Sequence, residues 1–296
     1  MVETGDVLVS TDDRSGIRRE YPIVDGKPVL IDFDNSVVDR ETVTKTKGAS
    51  EVARNEYSGP AGLLKRILSP ENRNTRANIA KLREMLHSLP QPARVLVIGG
   101  GSVGRSLNPL YDDEKIEIYS FDIYASPTVQ FVADAHALPL CDEFFDAVIV
   151  QAVLEHVLEP QKVVAEIWRV LKQDGLVYAE TPFMQHVHEG AYDFTRFTES
   201  GHRYLFRRFR LIDSGVCGGP GIQLMWSADY FARSLFRSRL AGKIAKLAFS
   251  WAQIFDLVIP RDFAIDAASG TYFLGRKSLD TIGPRQIVSH YQGASG

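Results

Sequence analysis

The stretch Arg94-Val95-Leu96-Val97-Ile98-Gly99-Gly100-Gly101-Ser102-Val103-Gly104 decides the fold. Val95 to Ile98 are four aliphatic residues in a row, three of them β-branched, and they make a short buried strand. The glycines that follow remove the Cβ from the next turn, so backbone N–H groups can approach a ligand closely. Gly99, Gly101 and Gly104 stand in G-x-G-x-x-G spacing, that of a nucleotide-binding turn after a first strand.

The chain beyond the turn supports the same reading. Residues 116–121 predict a second strand with Asp122 at its end, eighteen residues past Gly104, where such a turn places an acid for ribose hydroxyls. Residues 129–135 predict a third short strand closed by Asp134, and residues 144–150 a fourth, followed by Gln151-Ala152-Val153-Leu154-Glu155-His156. With these residues in hand, 94–181 resembles a class I S-adenosylmethionine (SAM)-dependent methyltransferase of the bacterial small-molecule kind. The resemblance rests on the glycine turn, Asp122, Asp134-Ala135-His136-Ala137-Leu138-Pro139, Phe145-Asp146-Ala147-Val148 and Leu154-Glu155-His156. The ordered set is far more specific than any one member.

The remaining elements extend an α/β pattern. Ile79, Leu82, Met85 and Leu86 recur at helical spacing within 75–88, which predicts an amphipathic helix ended by Pro90 and Pro92. Residues 159–172 predict a helix with Val163, Val164, Ile167, Val170 and Leu171 on its apolar face and Asp174-Gly175 as its stop. Fifth, sixth and seventh strands are expected at 176–181, 209–216 and 271–277. Strands alternating with helices imply a parallel sheet covered on both faces. The resemblance adds a Rossmann-like, seven-stranded, mostly parallel sheet whose antiparallel seventh strand lies beside the sixth. Ligands of such a sheet sit at the carboxyl ends of its strands.

Outside this unit, residues 1–35 form a β-like appendage, with Asp25-Gly26 between two apolar runs as a hairpin signal. It resembles the last hairpin of a zinc-ribbon module that activates some methyltransferases, but it has no cysteine, so the likeness implies a shape and no metal. Residues 36–74 read as a linker that can order over the site, with Tyr57 and Arg76 as contributors from a lidding helix. The methyltransferase unit is expected over 75–280, with a helical insertion at 218–270 and a loose tail from 281 to 296. Within 230–259, Arg233, Arg237, Arg239, Lys243 and Lys246 interleave with apolar residues. That insertion is readable as a packed subdomain, a homodimer contact, a cap over a greasy substrate, or a peripheral membrane contact.

Composition narrows the classes. The 296 residues are 45% hydrophobic and 24% charged, an ordinary globular balance with length to spare for a core. A net charge of −3 argues against a nucleic-acid partner, as does the lack of an Asn/Asp-Pro-Pro-aromatic motif after the fourth strand. Cys141 and Cys217 make no framework, which suits a reducing, cytoplasmic setting.

The resemblance implies SAM as cofactor and a small-molecule substrate. It places Gly99, Gly101, Ser102 and Gly104 along the methionine and ribose, and Asp122 and Ile123 at the ribose. Asp134 and Ala135 would edge the adenine, and Gln151, Glu155 and His156 the methionine or substrate side. Val97 stands where the family often has an acid near the methionine amino group, which puts that one contact in doubt. The acceptor is expected at residues 182–197, where His186, His188, Glu189, Asp193 and Arg196 crowd one loop, with His202 close behind. A hydroxyl acceptor needs a general base there, and His188 or His186 are the candidates. His186, His188 and Asp193 lack a third ligand at typical metal spacing, so no metal is expected. Arg196 can pair with Asp193 or Glu189, or grip a substrate anion. The expected activity is O-methyl transfer; N-methyl transfer and a docking partner that retains the fold are the alternatives.

Overall fold

The computed structural model describes residues 2–5, 7–9, 20–46, 48 and 72–294. Tyr57 and most of the expected linker lie outside the described residues. Strands β1 (Val2–Thr4), β2 (Val7–Val9), β3 (Glu20–Val24) and β4 (Lys27–Pro28) form an antiparallel sheet. Asp25 and Gly26 have φ of 50° and 70°, the positive pair that a two-residue type I′ turn needs. The appendage is docked on the main sheet: Val29 bridges Val132, and the Leu30 N–H donates to the Val132 carbonyl at 2.7 Å.

The main sheet contains β5 (Ala93–Ile98), β6 (Ile116–Asp122), β7 (Phe131–Val132), β8 (Phe145–Gln151), β9 (Leu171–Pro182), β10 (Phe209–Gly218) and β11 (Gly270–Lys277). Its order is β10-β11-β9-β8-β5-β6-β7, with β11 antiparallel between β9 and β10. Pleating divides the buried strands between two cores. Leu96, Ile98, Val148, Val150, Val177 and Ala179 face one side, and Val95, Val97, Ala147, Ile149, Leu176 and Tyr178 the other. Burial on both faces is why these strands read as unbroken apolar runs. From β5 the chain steps to β6 on one side and later to β8 on the other, and this reversal opens a crevice at the strands' carboxyl ends.

Helix α1 (Arg40–Lys45) precedes α2 (Arg73–His87), whose Asn72 cap accepts from the Asn74 N–H and whose Ile79, Leu82 and Leu86 pack on the sheet. After α3 (Asn108–Tyr111), α4 (Pro160–Val170) covers the opposite face with Val163, Val164 and Ile167. That helix stops earlier than its pattern suggests. Leu171 leaves it to pair with Phe145, its carbonyl accepts from Lys277 Nζ at 2.7 Å, and Asp174 at φ 60° forms a bulge before Leu176 rejoins the ladder. The third strand is also shorter than expected, because beyond Val132 the chain turns to engage the Asp134 side chain.

Helix α5 (Glu199–Leu205) follows the histidine-rich loop and is too short for a periodic signal. The insertion holds α6 (Pro220–Phe236), α7 (Arg239–Ala248), a 3₁₀ turn at Ser250–Leu257 and α8 (Arg261–Asp266). The tail, expected to be loose, is tied down. Past α9 (Pro284–Val288), His290 Nε2 lies 2.9 Å from Glu199 Oε1, and the Tyr291 hydroxyl and Ala294 N–H donate to Asp266. Among the described residues, no helix is long and apolar enough to cross a membrane.

Candidate active site

A cavity of about 630 Å³ opens at the carboxyl ends of β5, β6 and β8, a size suited to a small ligand. Of the residues expected at the cofactor, Gly99, Ser102, Gly104, Asp122, Ile123, Asp134, Ala135, Gln151 and His156 line it, and Gly101 does not. Gly99 turns the chain at φ 78°, and a Cβ there would lie 2.3 Å from Val153 Cγ2. The Gly101 N–H donates to Asp122 Oδ2 at 2.9 Å, while Asp122 Oδ1 accepts from the Ile123 N–H at 2.7 Å. A Cβ on Gly101 would lie 2.3 Å from the Tyr124 ring and 2.6 Å from Asp122 Oδ2. Gly104 has no such neighbour; the nearest is Ser106 Oγ at 3.8 Å.

Asp134 is more committed than expected. Its Oδ1 accepts from the His136 N–H and Nδ1, and its Oδ2 from the Ser36 hydroxyl at 2.5 Å. Burial pushes this carboxyl up, but the His136 and Ser36 hydrogen bonds outweigh burial and hold it below the usual range. Ser36 leads into a cover: Val38, Thr42, Val43 and Thr46 line the same cavity from α1 and its approach, and the Gly48 carbonyl accepts from the Ala125 N–H at 2.6 Å.

A second cavity, of about 370 Å³, adjoins the first; Asn72, Ala152, Glu180 and His188 line both. Glu155, expected on the methionine or substrate side, lines this second cavity and not the first. Ala152 at φ 52° reverses the chain after β8, so Val153 and His156 face the first cavity and Glu155 the second. Glu155 is fully buried, neither carboxyl oxygen has a hydrogen-bond partner, and burial pushes its pKa up to about 8. His156 Nε2 and His188 Nε2 stand 3.6 and 3.8 Å from Glu155 Oε1. His156 Nδ1 donates to the Tyr192 carbonyl at 2.7 Å, which leaves the lone pair on Nε2. His188 is oriented likewise, with Nδ1 3.3 Å from Asp193 Oδ2 and its backbone N–H donating to the same oxygen at 2.8 Å.

The other loop candidates have supporting places. Arg196 holds both Asp193 oxygens and donates to the Gln185, His186 and Thr195 carbonyls, so it clasps the loop and does not reach for a ligand. Burial raises the Asp193 carboxyl, but the Arg196 bonds overcome that and hold it well below the carboxylate range. His186 lines neither cavity and stacks on Tyr230 with ring centroids 4.4 Å apart. His202 is a core residue, not a base: it is 1% exposed, packs on Phe206 and Phe273, and burial drives its imidazole down to about 3. Arg76, proposed from the lidding helix, is exposed and lines neither cavity.

Sequence reasoning missed Glu180, which ends β9 beside both cavities and accepts from the Thr75 and Tyr178 hydroxyls at 2.5 Å. Its position at the carboxyl end of a central strand was the available signal. Ser36 and Tyr124 had none.

Residues 96–179 match the family described as a methyltransferase domain. A demethylmenaquinone methyltransferase of Renibacterium salmoninarum is 39% identical over 98 residues, a match spanning 29% of this chain and 40% of that protein. The chain thus spans less than half the length of this curated relative. Haemonchus contortus phosphoethanolamine N-methyltransferase 2 in complex with SAM is 14% identical, with a TM-score of 0.48, over 88% of this chain and 62% of that one. Burkholderia thailandensis 1,6-didemethyltoxoflavin-N1-methyltransferase is 18% identical, with a TM-score of 0.44, over 76% of this chain and 93% of that one. The sequence match over 96–179 falls on the strands and turns that build the first cavity.

Proposed function

We propose that the protein transfers the methyl group of SAM to a hydroxyl oxygen of a small-molecule acceptor. The observation that carries this reading is the meeting of two cavities at Ala152, Glu180 and His188, one sized for the cofactor and the other open to an acceptor. The first fits SAM: Asp122 presents a carboxylate already oriented by the Gly101 and Ile123 N–H groups, and a fixed anion suits ribose hydroxyls. Gly99, Ser102, Ala135 and Gln151 would hold the remainder. When bound, SAM supplies an electrophilic methyl on a sulfonium, a good leaving group.

The chain's own task is then to orient the acceptor and take its proton. His188 lines both cavities, and its Nδ1 faces Asp193, so Nε2 carries the accepting lone pair. Arg196 keeps Asp193 ionised and fixed, and Asp193 keeps the imidazole in that tautomer. Glu155, protonated at neutral pH, adds no negative charge beside the imidazole and has a proton to donate. Holding the reactants in line supplies much of the acceleration, and the base adds roughly 100- to 10,000-fold.

Calorimetric titration with SAM and its demethylated product S-adenosylhomocysteine tests the cofactor, and a turnover screen over hydroxylated small molecules tests the acceptor. His188→Ala should lower kcat by roughly 100-fold or more while leaving S-adenosylhomocysteine affinity within about twofold. A folded sample that binds neither compound sinks the proposal. Equal loss of binding and turnover in His188→Ala makes that residue a support for the fold.

A further inference from the structure

Helix α7 is turned inside out. Leu240, Ile244 and Leu247 follow helical spacing and form an apolar stripe, yet they are 66%, 61% and 47% exposed. Gly242 and Lys246 face inward instead. A Cβ on Gly242 would strike Asp229, and the buried Lys246 ammonium sits 3.3 Å from the centroid of the Trp226 ring. A surface helix ordinarily packs its apolar stripe on the core, so this stripe is kept for something outside the chain. Its neighbours continue it: Phe231 and Phe236 on α6 and Ile254 and Val258 after α7 are each at least 63% exposed. More than half of the exposed large apolar side chains among the described residues fall within 231–263. A patch of this kind on a soluble chain marks an interaction surface.

Charge selects the occupant. Arg237, Arg239 and Lys243 are exposed on α7 and the turn before it, whereas the acids of α6 and of the turn after α7 are used inward; Asp262, on α8, is the exposed acid of the neighbourhood. Asp229 pairs with Arg233, and Asp256 accepts from the Gly221 and Ile222 N–H groups. In a chain of net charge −3, this face is apolar with a cationic fringe. A twofold contact with a second copy sets the patch on itself and brings that fringe against its own copy. An anionic bilayer satisfies both features, taking the apolar side chains at the acyl boundary and the cations at the headgroups.

We infer that α6, α7 and the turn after them dock the protein on an anionic phospholipid surface, lying on it without spanning it. Docking also bears on the substrate, in a step that rests on the methyl-transfer reading. Ile222, Met225 and Trp226, on the other side of α6, wall the second cavity, and the Tyr230 hydroxyl donates to the Val187 carbonyl beside His188. The docked face and the acceptor cavity share one helix, which favours an amphipathic, lipid-like acceptor.

The test is flotation of the full chain with phosphatidylcholine vesicles, alone and with added phosphatidylglycerol, in the absence of SAM and acceptor. Binding is expected to require phosphatidylglycerol, to weaken with salt, and to shift Trp251 emission to the blue. Leu240→Ser with Ile244→Ser should weaken it about tenfold or more without loss of helicity, since both side chains are exposed. Arg239→Glu with Lys243→Glu should abolish the preference for the anionic lipid. No binding to either vesicle overturns the inference. So does a dimer in sedimentation velocity that the serine variant dissociates, because a second copy then covers the face. None of these readouts depends on methyl transfer, so docking and catalysis fail separately.

Discussion

Replacing Gly101 by alanine separates a glycine the site needs from one the motif merely contains. The added Cβ would lie 2.3 Å from the Tyr124 ring and 2.6 Å from Asp122 Oδ2, and both side chains line the first cavity. Each atom is at the far end of a side chain, so the clash is relieved by moving Asp122 and Tyr124, and the folded state should lose no more than the hydrogen bond this gives up, about 1.5–3 kcal/mol. The ligand loses as well. Moving Asp122 breaks its 2.9 Å bond from the Gly101 N–H and shifts the carboxylate meant for the ribose. A hydrogen bond to a charged group contributes about 1.5–3 kcal/mol, so affinity should fall roughly 10- to 150-fold. Gly104→Ala is the control: its backbone, at φ −65° and ψ 140°, suits alanine, and the nearest atom is 3.8 Å away. It should bind within about twofold of wild type and gain about 0.4–1 kcal/mol from a less flexible unfolded chain. The assay is calorimetric titration with S-adenosylhomocysteine beside thermal melting. Equal affinity loss in both variants would refute the reasoning, as would normal binding by Gly101→Ala.

Two further outcomes follow from the buried groups. The Glu155, His156 and His188 ligand atoms lie within 4.8 Å of one another with both Nε2 lone pairs turned inward, so micromolar zinc should inhibit turnover, reversibly by chelator, while magnesium should not; equal zinc sensitivity in His156→Gln counts against capture at this cluster. His202 is held at about 3, far below the unfolded value near 6.5, so the unfolded state takes up a proton that the folded state refuses. Its contribution is intact above pH 6.5 and is lost as pH falls below it, at about 1.4 kcal/mol per pH unit. Glu199, held low by His290 and Ser214 against its own burial, acts in the same direction at lower pH. Urea unfolding at pH 5 and 6 should therefore show a shallower slope for His202→Gln, and an unchanged slope would mean that the imidazole is protonated in the fold.

The sheet was legible because its central strands are buried on both faces and so appear as unbroken β-branched runs. The first cavity was legible for a related reason: a turn between a strand and a helix is contiguous in sequence, and so are Asp122 and Asp134 with their strand ends. The second cavity was not. Thr181, Met225 and Gly270 meet in it from separate elements, and no local spacing records that. Glu155 was noticed but not assigned to one cavity, since one left-handed residue, Ala152, decides which way the side chains after it point. The histidine-rich loop was read by composition, and only geometry could show that Arg196 clasps Asp193, that His202 is packing, and that His188 alone of the three loop histidines reaches both cavities.

The hydrogen bond from Ser36 to Asp134 gives the cover over the first cavity a side-chain latch, thrown by a segment that precedes the whole main sheet in the chain. A ligand enclosed beneath that cover leaves no faster than the latch opens. The N-terminal appendage has its own footing in the pairing of Val29 and Leu30 with Val132, so loosening that pairing is expected to shorten a ligand's residence time.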